Sequence, residues 1–201
     1  GLAVSGRGNN AWNAYVASLN IMNAKILFSK SNLLVSKLFE PGTDGNRKSL
    51  EKHHLFPKAY LKSQGYSDAK INQMANYAFI DWKDNMDILD DAPSVYYPIV
   101  CAGLSDEQIR VMEEENALPH GWENMAYEDF LIERRKLMAA KIKAAFEILI
   151  PLRMADLIDQ GIDLGDMAAV WKFGIAILIF AALQLLTGVL SAHVAAKTSV
   201  G

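Results

Sequence analysis

The sequence predicts an α+β fold that is mainly α, with an apolar C-terminal helix. Three observations carry this. Most of the 201 residues fall into stretches with apolar side chains at helical spacing. Two short strand candidates lie in the middle, 50–56 by its length and the proline that stops it, and 76–82 by its aromatic and β-branched content. From Phe173 to Ala196 there is no formally charged residue at all.

The elements follow in order. "NAYVASLNIMNAKILFSKSNLLVSKLF" (13–39) reads as helix, with Val16, Leu19, Ile21, Met22, Ile26 and Leu27 as its apolar set. "EPGTDGNRKS" (40–49) is a loop of turn-forming residues. "LEKHHLF" is short enough for a strand, and Pro57 stops it. Residues 58–75 return to helical spacing, broken near Gly65, with Ser67 placed to cap the second piece. "NYAFIDW" has the aromatic and β-branched content of a second strand.

"KDNMDILDDAPSVYYPIV" reads as turn-rich, punctuated by Pro93 and Pro98. "LSDEQIRVMEEENAL" is a helix with Ser105 and Gln108 in capping-box register. "PHGW" is a turn. Residues 127–149 form a helix with Tyr127, Leu131, Met138, Ile142, Ala145 and Leu149 on one stripe. The expected organisation is an N-terminal helical segment (1–45), a central domain with C-terminal helices (46–152), and a linker with the apolar helix (153–201).

The apolar run from Phe173 meets the length rule for a membrane-spanning helix, and the alternatives are a buried hairpin, a dimer-forming helix, or a mistranslated or out-of-frame end. Lys141, Lys143, Arg153 and Lys172 lie upstream, which by the positive-inside rule keeps the main body in the cytoplasm, anchored to the inner face of the membrane. "GLAVSGRGNN" has no initiator methionine and no secretory h-region, which reads as a processed product or a fragment whose first 45 residues close an upstream domain. Cys101 is the only cysteine, so no internal disulfide and no four-cysteine zinc site is available.

The net charge of −3 argues against a general nucleic-acid binder, but the balance is uneven. Arg47, Lys48, Lys52, Lys58 and Lys62 face the single acid Glu51 around "EKHHLFPKAYL". Lys52 and Lys58 are the candidate phosphate contacts. Adjacent side chains on a strand point to opposite faces, so His53 and His54 are poorly placed to chelate one ion together. Phosphodiester hydrolysis needs a base on one side of phosphorus and positive charge on the other. A divergent pair suits that division: one imidazole ligates a metal and its neighbour takes a proton near neutral pH.

"EKHHLFPKAYL", "INQMANYAFIDWKDNMDI", "PSVYYP" and "ALPHGWENMAYEDFLIERRKLMA" together resemble the HNH endonucleases with their ββα-metal (His-Me finger) motif. More narrowly, they are similar to the C-terminal HNH domain of GmrSD-type modification-dependent restriction enzymes. The resemblance spans roughly residues 20 to 150. It implies that His53 is a metal ligand, His54 the general base, Asn76 a structural brace for the loop, and Asn85 a second ligand through its amide oxygen. A short helical turn after Lys83 would close the motif. The 21 residues between His54 and Asn76 make a longer insertion than in compact HNH modules.

The resemblance implies one divalent metal ion and DNA as the partner. A histidine in the first position tilts the choice toward Mn²⁺, Zn²⁺ or Ni²⁺ without excluding Mg²⁺. Asp81, Asp84 and Asp87 are close in sequence but read as loop acids, and Glu51 shares strand parity with His53 and could orient its ring. His120, His193, Arg134 and Arg135 read as structural or surface residues. The expected activity is metal-dependent DNA cleavage in a restriction or phage-defence system, with 5′-phosphate and 3′-hydroxyl ends. Alternatives are a catalytically degenerate nucleic-acid-binding module and a membrane-tethered interaction protein. GmrSD-type proteins couple nucleotide hydrolysis to recognition through a separate N-terminal domain, and this chain has no G-x-x-x-x-G-K-[ST] loop.

Overall fold

Leu50–His54 (β1) and Tyr77–Asp81 (β2) pair antiparallel into a two-stranded sheet, in the register His54 to Tyr77, His53 to Ala78 and Leu50 to Asp81. Around it the molecule is mainly helical. The computed structural model describes residues 10–29, 32–39, 50–81 and 90–198, and of these the side chains of 38, 39, 50, 51, 81 and 187–198 are not described. The chain divides into two compact units, residues 1–138 and 139–201. That division falls inside a continuous helix, earlier than the expected boundary after residue 152.

In the first unit, α1 (Asn10–Ile21) buries Trp12, Tyr15, Val16 and Leu19, the i, i+3, i+4, i+7 stripe of an amphipathic helix. The helix expected over 13–39 stops there. Asn23 adopts φ 52° and Asn32 φ 54°, the left-handed conformation that asparagine tolerates better than most residues. Between them Ile26, Leu27 and Phe28 are buried consecutively, which no helix face allows. Leu27 bridges to Ile80 in parallel sense, its N–H donating to the Phe79 carbonyl at 3.1 Å. A 3₁₀ turn follows at Val35–Phe39.

The connection between the strands holds α2 (Lys58–Ser63) and α3 (Asp68–Ile71), split at Gly65, whose φ of +86° suits glycine. Ser67 sits at the N-cap of α3 without making a side-chain cap bond. A 3₁₀ turn, Met74–Asn76, feeds β2. Pro93–Val100 is helical (α4), where turns were expected; Pro93 occupies the first turn, where its missing N–H costs nothing. The capping box of α5 (Asp106–Glu115) forms: Gln108 N–H donates to Ser105 Oγ at 3.2 Å, and Ser105 N–H to Gln108 Oε1 at 2.8 Å.

The long helix α6 (Tyr127–Asp156) starts in the first unit and ends in the second. Its first turns carry Tyr127, Phe130 and Arg134 into the core beside Phe56 and Trp122. Phe56 lies 4.9 Å from the Phe130 ring and 5.9 Å from that of Trp122, centroid to centroid, so the residue two places after His54 is an aromatic anchor.

The second unit is a helical hairpin. After α6, a π-helical turn (Leu157–Ile162) leads through Gly165, at φ +66°, to α7 (Met167–Thr198). Asp166 caps α7, its Oδ1 accepting from the N–H groups of Ala168 and Ala169 at 2.9 and 3.2 Å. Gly161 packs against Val170 so closely that a Cβ there would fall 2.7 Å from Val170 Cγ2. The Phe146 and Phe180 rings meet at a tilt of 44°, centroids 6.0 Å apart. Trp171, Leu178 and Leu185 are about two-thirds or more exposed. Met167–Leu186 is long and apolar enough to cross a membrane, and little of it is buried.

Candidate active site

The turn that leaves β1 is held by a complete set of backbone hydrogen bonds. Leu55 N–H donates to the Asn76 carbonyl at 2.8 Å, and the Leu55 carbonyl accepts from Tyr96 Oη at 2.6 Å. Phe56 N–H donates to Asn76 Oδ1 at 2.8 Å, and Asn76 Nδ2 donates to the Phe56 carbonyl at 3.1 Å. The same Nδ2 reaches the Ile71 carbonyl at 3.1 Å. All four polar groups of two buried peptides are thereby satisfied, three of them by Asn76. Asn76 itself is fully buried, and all its amide capacity toward this loop is spent on main chain.

Arg134 secures the other side of that clamp. Its guanidinium is fully buried; Nη1 donates to the Ala75 carbonyl at 2.8 Å and Nη2 approaches the Asn116 carbonyl at 3.5 Å. The Asn116 carbonyl also accepts from Tyr15 Oη at 2.9 Å. Burial lowers the Arg134 pKa, opposed by the neighbouring Tyr15 and Tyr96. Arg134 is therefore a core residue, neither solvated nor available to a phosphate. Arg135, half-buried, donates from Nη2 to Gln73 Oε1 at 3.1 Å.

His53 and His54 end β1 with opposite strand parity, one opposite Ala78 and the other opposite Tyr77. His54 Nε2 lies 3.0 Å from Asn72 Oδ1, and Tyr77 Oη lies 3.1 Å from the same oxygen. The Tyr77 ring sits 4.5 Å from the imidazole, tilted by 41°. Burial lowers the His54 pKa; the bond to Asn72 opposes this and the Lys58 charge adds to it. The ring is neutral at pH 7, the state a proton acceptor needs.

His53 differs. Its Nε2 is buried and has no hydrogen-bond partner among the described residues. Burial, with a smaller contribution from His54, pushes its pKa down to about 4. A neutral imidazole with an unsatisfied buried nitrogen has the donor chemistry of a metal ligand. Asn85, the other expected ligand, lies outside the described residues, as do Trp82, Asp84, Asp87, Arg47 and Lys48 and the side chains of Glu51 and Asp81. Among the described residues no group of three or more His, Cys, Asp or Glu side chains could hold an ion. His53 Nε2 alone offers one imidazole donor of the kind that suits Mn²⁺, Zn²⁺ or Ni²⁺.

The lysines are engaged locally. Lys52 shares strand parity with His54 and places Nζ 4.8 Å over the Trp12 ring. Lys58 Nζ and Lys62 Nζ both pair with Asp68 Oδ1, at 3.2 and 3.4 Å, and hold that exposed carboxyl below its ordinary pKa. The positive patch inferred from composition is partly offset by Asp68. His120 is an exposed ring whose Nδ1 lies 3.0 Å from the buried Glu113 carboxylate, which raises its pKa; Glu113 also accepts from Tyr97 Oη at 2.7 Å.

In the sequence Asn72 carries no mark, Tyr77 reads only as one of the aromatics of a strand, and Arg134 as a structural or surface residue. Asn72 stands 18 residues from the ring it touches; no local pattern marks it. No protein-family model, curated protein or solved structure matches the chain.

Proposed function

We propose that the chain is a metal-dependent DNA endonuclease of the HNH type, the cleavage module of a restriction or phage-defence system. The observation that carries this is the arrangement at the end of β1: a neutral, hydrogen-bonded His54 next to a buried His53 with an unpartnered Nε2, on a loop clamped by Asn76. That is the arrangement expected of a general base, a ligand and a brace in a ββα-metal motif. The resemblance of "HHLFP" and "NYAFIDWKDN" to that motif points the same way.

In this mechanism His54 takes the proton from the attacking water. His53 and Asn85 would hold a divalent ion, which would supply positive charge to the departing 3′ oxygen when bound. Lys52, on the His54 side of the strand, contributes charge for the DNA backbone, and Lys58 does so to the extent that Asp68 leaves it free. Asn76 keeps the two rings in register through the loop they border.

The test is plasmid nicking by the full chain with Mg²⁺, Mn²⁺, Zn²⁺ or Ni²⁺ in turn. Cleavage should require an added ion and stop with chelator. His54→Ala should lower the rate by roughly 100-fold or more while DNA binding persists. DNA binding without cutting under every ion would instead mark a catalytically degenerate binding module.

A second reading concerns location. The exposed apolar stretch Met167–Leu186 has 20 residues, about 30 Å of helix, which matches the hydrocarbon thickness of a bilayer. On that ground α7 is a tether holding the nuclease on the cytoplasmic face of a membrane.

A further inference from the structure

We propose that Asn72 is the positioning residue of the site: it holds His54 in the Nε2–H tautomer, so that Nδ1 is the proton-accepting atom. This rests on the nuclease reading for its catalytic meaning, but the tautomer is a property of the chain alone.

A carboxamide oxygen can only accept. At 3.0 Å from Asn72 Oδ1, His54 Nε2 therefore carries the hydrogen, and a neutral imidazole with Nε2 protonated leaves its lone pair on Nδ1. The oxygen has two lone pairs, and Tyr77 Oη takes the second at 3.1 Å. Asn72 thus turns its Oδ1, not its Nδ2, to both the hydroxyl and the ring. Tyr77 also lies against the imidazole at 4.5 Å and limits its rotation. Backbone geometry completes the support. Asn72 closes α3, with its N–H bonded to the Asp68 carbonyl at 2.9 Å, and Tyr77 opens β2 opposite His54. Both partners thus come from regular elements flanking the Asn76 clamp. A ring held at one nitrogen and along one face presents the other nitrogen in a single direction, which is what in-line proton removal needs.

The experiment uses the full chain with ¹⁵N-labelled histidine and no metal, so that the tautomer is read without activity. The parent should show His54 with Nε2 protonated and Nδ1 bare. Asn72→Leu, close in size but without an acceptor, should move the His54 nitrogens toward the averaged values of an unrestrained imidazole. Asn72→Asp, which keeps an acceptor, should restore the Nε2–H signature. In the nicking assay Asn72→Leu should lower kcat by roughly 10- to 100-fold with KM changed less than about threefold, and Asn72→Asp should recover most of it. Tyr77→Phe, which leaves the strand intact, should give a smaller shift of the same sign and serves as the readout if Asn72→Leu does not fold. An Nδ1–H tautomer in the parent, or an unchanged His54 signature in both Asn72→Leu and Tyr77→Phe, overturns the assignment. A clean Nε2–H signature in a parent that cuts no DNA under any ion would sink the nuclease reading and leave the tautomer lock standing.

Discussion

Asn76 clasps the Phe56 peptide from both sides, accepting from its N–H at 2.8 Å and donating to its carbonyl at 3.1 Å. The aromatic ring of Phe56 is anchored separately against Phe130 and Trp122. Main chain and side chain of one residue are thus fixed by different parts of the core, and the two histidines just before it inherit that rigidity.

Removing the clasp is expected to be costly. Asn76→Ala strands the Phe56 N–H and carbonyl and weakens the Ile71 carbonyl, all inside the core. At about 1–3 kcal/mol for each buried polar group left unsatisfied, the loss should be about 3 kcal/mol or more. Urea unfolding monitored by tryptophan fluorescence measures it; a loss below about 1 kcal/mol would show that the loop is held by packing alone.

Arg134 makes a sharper comparison possible. Its planar guanidinium reaches the Ala75 and Asn116 carbonyls, a fork that an ammonium cannot copy. Arg134→Lys keeps a charge in a fully buried place with fewer bonds, and should cost about 3 kcal/mol. Arg134→Met removes the charge and keeps the volume, so it should be the milder substitution. Melting temperatures of the two variants decide the order, and a Lys variant as stable as the parent would rule the account out.

His53 and His120, shifted in opposite directions, predict opposite pH behaviour. His53 has its folded pKa lowered to about 4 from an ordinary 6.5. Between those values the unfolded chain binds the proton and the folded chain does not, so stability falls as pH drops through this window and is unaffected above it. His120, raised by Glu113, contributes stability present below its ordinary pKa and lost as pH rises through its folded value. In chelator, unfolding midpoints between pH 4 and 8 should show an acid-side decline that His53→Gln flattens. His120→Gln should leave that acid limb in place, and an identical profile for His53→Gln would refute the assignment.

For α7 the expected outcome is a change of phase. The full chain should float with liposomes of mixed neutral and anionic lipid, and a chain lacking residues 167–201 should stay in the aqueous fraction. If the full chain is monodisperse in buffer without detergent, α7 does not anchor it.

Several features of this fold are legible in the amino-acid order because their causes lie within a few residues. Ser105 and Gln108 bond each other three positions apart, Gly65 supplies its own positive φ, Pro57 bounds the strand at "EKHH", and "YAFID" declares itself by composition. The run after Ile21 misleads for the opposite reason. Its apolar residues are buried by β2 and by distant core, so apolar density there does not report helical period.

The sequence by itself determined the mainly helical α+β class, the paired strands, the divergent parity of His53 and His54, and an apolar end. Tertiary structure alone decided what each ring experiences. Asn72 reaches His54 from 18 positions away, and Arg134 fills the core 59 positions from the Ala75 carbonyl it bonds. Periodicity and turn chemistry act over a few residues, whereas tautomer, desolvation and the satisfaction of buried polar groups depend on which remote atoms the folded chain brings within 3 Å.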